Sequence, residues 1–277
     1  MQQIQKGFTL WKKNGVRFLT IPAFERAGGV TCAFSTRIGG VSPEPFDTLN
    51  FSRSREPNQE HFLENMRRFG GATGFDSQAA VLDNYEHGIR LYRAQKEDAG
   101  RGIWREMVSE PCDGLFTDET GLPLISLHAD CVPLFFYDPI RRAVAVCHAG
   151  WRGVTSHMII KTLEALIGIG CRLDDILAAV GPCISVRNFE VGEEVRDIFV
   201  REFGEESVQT REGRLYADLN TACVTDMLAG GISPRNVTVA DMCTYGDSYL
   251  FYSHRRDKGQ TGAMAAVILL KEVEQNE

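Results

Sequence analysis

The chain has 277 residues, 43% of them hydrophobic and 24% charged, the composition of an ordinary soluble globular protein with enough material for a buried core. Its formal net charge of −7 argues against nucleic acid or an anionic membrane surface as the main partner. The opening Met1-Gln2-Gln3-Ile4-Gln5-Lys6 lacks the apolar core of a signal peptide, and no apolar run reaches membrane-spanning length, so the expected location is the cytoplasm.

Taken in chain order, Val16–Ile21 and Val30–Ser35 read as early strands, followed by a Gly-rich loop over Thr36–Pro43. A helix is expected over Asn58–Phe69, capped by Asn58 and closed by Gly70-Gly71. Ala79–Leu82 is a strand leading to Asn84-Tyr85-Glu86-His87-Gly88. Val132–Tyr137 and Ala143–Cys147 are short apolar runs joined by Asp138-Pro139-Ile140-Arg141-Arg142, which is long enough only for a hairpin turn. A helix follows over Gly153–Leu166, with Thr155 a cap candidate and Gly168 near the stop. Ile176–Val180 reads as a strand, and Glu190–Glu202 and Asp218–Ala229 as helices, the second capped by Asp218 and stopped by Gly230-Gly231. Val237–Ala240, Tyr249–Tyr252 and Ala263–Leu270 complete a strand-rich second half. Strands and helices that do not strictly alternate indicate an α+β protein: mixed sheets flanked by helices in a three-layer, α/β/α-like arrangement over one domain, 1–277.

The hairpin has a chemical consequence. An antiparallel pair folds Cys131, at the start of its first strand, back beside His148, at the end of its second. A thiol beside an imidazole makes either a catalytic pair or part of a metal site. His87, on a loop edge, would complete a Cys/His/His set, and zinc on three such ligands keeps a fourth position for water or substrate. His128 lies on the opposite face from Cys131 if that segment stays extended, and it is set aside. Gly150-Trp151-Arg152-Gly153 leads into a helix, where free N–H groups and the Arg152 fork suit an anion; Arg37-Ile38-Gly39-Gly40 is a second Arg-Gly loop of that kind. Arg255-Arg256 reads as a solvated basic turn. The eight cysteines include no C-x-x-C pair and are expected to be reduced.

The blocks Ser35–Ser42, His87-Gly88, Asp113-Gly114, Ala129-Asp130-Cys131-Val132-Pro133, His148-Ala149-Gly150-Trp151-Arg152-Gly153, Gly181-Pro182-Cys183-Ile184 and Ser253-His254-Arg255-Arg256 give the chain an end-to-end resemblance to the YfiH-type family. That family is variously called multicopper polyphenol oxidoreductase or laccase-like, purine nucleoside phosphorylase, and peptidoglycan editing factor. The resemblance implies a zinc-type centre on His87, Cys131 and His148, with copper the alternative metal, and these three residues as the catalytic set. It also implies phosphorolysis of adenosine, inosine, guanosine and methylthioadenosine, together with adenosine deamination. Arg37, Arg152 and Asp130 are then the expected substrate and phosphate contacts, in a monomer or homodimer that binds neither nucleic acid nor membrane. A copper-dependent polyphenol oxidase and a cell-wall precursor editing hydrolase are the alternatives, and six histidines are few for a multi-copper cluster. The chain departs from the family pattern at Tyr85, where Gln is common, at His254, where Tyr is common, and at Thr261-Gly262-Ala263, where many members carry Thr-Gly-Arg.

Overall fold

A computed structural model describes residues 4–56, 58–107 and 110–272. The central hairpin forms as expected: Val132–Asp138 and Ala143–Ala149 pair antiparallel, with His148 opposite Pro133 and Ala149 opposite Val132. Asp138 closes the turn by accepting the N–H groups of Ile140 and Arg141 at 2.9 and 2.8 Å, an Asx-type turn. Every residue of both strands is buried, because both faces of the hairpin are covered. Val132, Leu134 and Phe136 pack toward helices, whereas Phe135 and Tyr137 pack toward a second sheet. Double coverage is what hides the two-residue period in the sequence.

The hairpin is the middle of a seven-stranded mixed sheet ordered Gln5–Lys6, Val237–Val239, Leu177–Val180, Val132–Asp138, Ala143–Ala149, Gly114–Thr117, Leu91–Arg93. A six-stranded sheet, ordered Thr9–Lys13, Val16–Thr20, Val30–Ser35, Met264–Leu270, Leu124–His128, Val81–Leu82, lies against it. Met264–Leu270 alternates in the same way: Met264, Ala266, Ile268 and Leu270 face the first sheet, and Ala265, Val267 and Leu269 face the helix Gln59–Thr73. The α+β class with mixed sheets flanked by helices is therefore observed, but the layers are four rather than the expected three, because two β layers pack face to face between the helices. A small three-stranded sheet, Glu190–Val191, Arg214–Ala217 and Val208–Arg211, sits beside the helix Glu193–Phe203.

Some boundaries differ from the sequence expectation for identifiable reasons. The first long helix runs through Gly70-Gly71 to Thr73 and ends at Gly74, whose φ of 88° supplies the left-handed cap. Gly70 is needed inside the helix for close packing, since a Cβ there would lie 2.7 Å from the Phe75 carbonyl oxygen. The expected Gly153–Leu166 helix is two, Trp151–Thr155 and Met158–Gly168, broken where His157 adopts a left-handed φ of 59°. Tyr249–Tyr252 is turn and irregular chain rather than strand, with the Leu250 and Phe251 N–H groups both bonded to the Asp247 carbonyl. Asp218 caps Leu219–Ala229 as expected, accepting from the N–H groups of Asn220 and Thr221.

Candidate metal centre and its cavity

His87, Cys131 and His148 converge: one ligand atom from each lies within 4.8 Å of the others. Ligands about 2.0–2.3 Å from one tetrahedral ion sit roughly 3.3–3.8 Å apart, so the three atoms are close enough to converge on one cation with small side-chain movements. Three different elements bring these residues together. His148 is carried by the buried hairpin strand and is 3% exposed. Its Nδ1 faces Asp113 Oδ1 at 3.7 Å, which leaves Nε2 as the ligand nitrogen. His87 stands on the loop after Val81–Leu82 with a left-handed φ of 67°, an uncommon backbone state for a residue other than glycine.

Asp113 holds this loop. Its Oδ1 accepts the His87 N–H at 2.7 Å and its Oδ2 the Gly88 N–H at 2.9 Å, while its carbonyl accepts the His148 N–H at 2.7 Å. Burial raises the Asp113 pKa, but the His148 imidazole and the loop N–H groups outweigh it and hold the carboxyl below its usual range. A single carboxylate thus sets the positions of two ligands.

Cys131 enters from a bend, Ala129–Cys131, in which Asp130 has φ 91°. Asp130 is 7% exposed and its carboxylate is taken up by the protein itself. It accepts from Thr244 Oγ1 at 2.6 Å, Ser253 Oγ at 2.9 Å and the Arg255 N–H at 2.7 Å. The bend also turns His128 toward Cys131 rather than away from it: His128 Nδ1 lies 3.3 Å from the Cys131 carbonyl, and both residues line the same cavity. The extended-chain assumption that set His128 aside therefore fails at Asp130.

The electrostatics favour a cation here. Burial pushes the Cys131 thiol up to about 12, and the charges of Asp130 and Asp113 add to the rise, so a thiolate at neutral pH requires a positive partner. Burial holds His148 below its ordinary range despite Asp113, and His87 lowers it further; burial and His148 hold His128 well below. Two imidazoles, that of His148 held neutral by burial, and a thiol that needs a cation are the donor chemistry of a zinc-type centre, so the residues present fit such an ion. Gly150 supplies the space: a Cβ there would lie 3.1 Å from His87 Cδ2 and 3.3 Å from Cys131 Sγ. Tyr85 packs its ring 4.3 Å from that of His148 and 5.5 Å from that of His87.

The three ligands open onto a cavity of about 420 Å³. Its apolar wall includes Leu127, Trp151, Ile184, Phe189 and Leu219, and its polar lining includes Ser52, Arg55, Arg152, His254 and Arg255. Of the expected anion contacts, Arg152 lines the cavity with its guanidinium over the Trp151 ring at 4.3 Å. Asp130 lines it as well, with the three protein donors just described. Arg37 is not among the lining residues. Its guanidinium is spent on the Asp47 carbonyl and carboxylate at 2.9 and 3.0 Å, over the Tyr252 ring. Arg55 is a cation the sequence did not single out, and Arg255, read there as a basic cluster able to hold a small anion but more often a solvated turn, lines the cavity as well. Arg255 lies over Phe189 and bonds the Glu190 carbonyl, whereas its neighbour Arg256 is tied to the carbonyls of Thr244, Tyr245 and Phe251.

Residues 31–271 match the family model described as multi-copper polyphenol oxidoreductase laccase. The chain belongs to that family. Within it, the chain is similar to the purine nucleoside phosphorylase of Deinococcus radiodurans, at 38% identity over 85% of this chain and 87% of that one. It is also similar to purine nucleoside phosphorylase YfiH of Escherichia coli, at 32% identity over 91% and 98% of the two chains. The crystal structure of YlmD from Geobacillus stearothermophilus superposes with a TM-score of 0.88 and 30% identity, covering 96% of this chain and 99% of that one. The expected YfiH-type membership is therefore established; relatives in it carry a phosphorylase name, and three side chains here form a group that could hold a metal ion. Among the described residues, no helix is long and apolar enough to cross a membrane.

Proposed function

We propose that the protein is a zinc-dependent purine nucleoside enzyme, a single catalytic domain that cleaves adenosine, inosine, guanosine and methylthioadenosine with phosphate and deaminates adenosine. The observation that carries this reading is the convergence of His87, Cys131 and His148 at one end of a cavity that also holds Arg55, Arg152 and Arg255. The phosphorylase names of the relatives supply the substrate class. The donor set favours one ion over a multi-copper cluster, because it offers three ligands in a chain with six histidines. The expected setting is the cytoplasm, as a monomer or homodimer.

In phosphorolysis, a phosphate oxygen bonds to the anomeric carbon of the ribose as the bond to the purine nitrogen breaks, and the electron pair leaves with the base. Arg152 and Arg255 are the groups best placed to hold the phosphate, with Arg55 and His254 beside them. Leu127, Ile184, Phe189 and Leu219 pack the purine and exclude water from the reacting atoms. Asp113 holds His148 in the tautomer that presents Nε2. A zinc ion on His87, Cys131 and His148 would supply a Lewis acid, and an activated water for deamination. Cys131 serves as a ligand, since its thiol stays protonated without a cation beside it.

Zinc-loaded protein incubated with inosine and phosphate should release hypoxanthine, and Cys131→Ala should abolish that release. Absence of both free base and ammonia from every purine nucleoside tried would remove this reading.

A further inference from the structure

The wall of the cavity contains an acceptor with no partner. His128 is 1% exposed, ends the strand Leu124–His128, and lines the cavity beside Cys131 and His148. Its Nδ1 lies 3.3 Å from the Cys131 carbonyl oxygen, which can only accept, so Nδ1 carries the proton and Nε2 carries a lone pair. Nε2 is buried and has no hydrogen-bond partner within the protein. Its ring neighbours are His148, with centroids 5.3 Å apart, and Phe34 at 6.0 Å. Neither arrangement satisfies a ring nitrogen. A buried acceptor kept unpaired at a cavity wall is complementary to a molecule that brings a donor.

We propose that His128 is a substrate-binding residue whose Nε2 accepts a hydrogen bond from an O–H or N–H group of the nucleoside bound in the cavity. This rests on the nucleoside reading above. Purine nucleosides carry such donors on the sugar and on the base. His87 and His148 each give a nitrogen to the proposed ion, and the His148 Nδ1, also without a hydrogen bond, faces the Asp113 carboxylate at 3.7 Å, whereas among the described residues no carboxylate is paired with the His128 ring. His128 then adds affinity and selectivity without being a ligand of the metal, consistent with its place outside the three-residue set.

Two substitutions separate the ring nitrogens. His128→Asn keeps an N–H donor for the Cys131 carbonyl and lacks the Nε2 acceptor; His128→Gln returns an acceptor near the Nε2 position. Zinc content, thermal unfolding and the steady-state kinetics of inosine phosphorolysis are measured for both and for the parent. The expected result is full zinc content in both variants, a KM for inosine raised roughly tenfold to a hundredfold in His128→Asn, and substantial recovery in His128→Gln. An unchanged KM in His128→Asn, with an active parent, overturns the role of His128 alone. Loss of zinc in His128→Asn assigns His128 to the metal centre and likewise overturns it. A parent inactive on every purine nucleoside removes the nucleoside reading, and this assignment with it.

Discussion

The carboxylate of Asp113 lies 3.7 Å from Nδ1 of His148 and at the same time accepts the backbone N–H groups of His87 and Gly88. Two of the three ligands thus depend on one residue that is itself neither a lining residue of the cavity nor one of the three candidate ligands. Asp113→Ala should weaken zinc binding by about tenfold to a hundredfold, the usual effect of removing such a support, while leaving all three ligands in the chain. Competition against a chromophoric chelator measures this; an unchanged zinc affinity would show that Asp113 does not orient the site.

At Gly150 the backbone passes close to two of the candidate ligands. Its φ of −68° is open to any residue, so a substitution there acts through space and not through backbone strain. In Gly150→Ala the added methyl meets His87 Cδ2 and Cys131 Sγ at 3.1 and 3.3 Å, and one of them must give way. The metal content of purified Gly150→Ala should fall well below that of the parent, while the far-UV circular dichroism is unchanged. Full metal occupancy would mean the ligands can shift freely.

Asp130 pins the Cys131 bend to two distant turns. Removing its carboxylate leaves the Thr244 and Ser253 hydroxyls and the Arg255 N–H without their acceptor. Asp130→Ala should cost about 3 kcal/mol or more of stability, with Asp130→Asn intermediate because its amide keeps one acceptor oxygen. Denaturant unfolding of both variants measures the difference; equal stability to the parent would make the network incidental.

His157 links three helices through Asp226 at 2.8 Å and Glu202 at 3.3 Å. Burial alone would lower its pKa, but hydrogen bonds and charge from Asp226 and then Glu202 outweigh it and raise it above the ordinary 6.5. The charged form is favoured in the folded state, so the stabilisation is fully present below about pH 6.5 and is lost as pH climbs through the raised value. The side chain is 39% exposed, and solvent screening limits the effect to roughly 0.5 kcal/mol. Unfolding of the parent and of His157→Gln at pH 6 and pH 8 should show an advantage for the parent at pH 6 that shrinks at pH 8. An advantage that grows with pH would contradict the assignment.

The hairpin was legible because two short apolar runs and a five-residue turn leave one way to pair, and that pairing alone placed Cys131 beside His148. His87 was only a candidate third member from its loop-edge position, and the family resemblance carried the assignment, since no spacing rule ties a loop 44 positions upstream of Cys131 to the strand end. His128 was misjudged because the left-handed φ of Asp130, which any side chain but Gly adopts rarely, redirects the chain. Arg37 and Arg55 show the same limit for anion contacts: both are loop arginines in the sequence, and only tertiary packing commits one to Asp47 and leaves the other at the cavity. The split helix at His157 was hidden because Ser156-His157 carries no Gly or Pro to mark a break.

The most direct test of the metal centre is the zinc content of stripped and reloaded protein, with each ligand replaced in turn. The parent should take up one zinc per chain, and His87→Ala, Cys131→Ala and His148→Ala should each fall near zero while remaining folded. One full equivalent of tightly held zinc in Cys131→Ala would contradict the shared three-ligand centre.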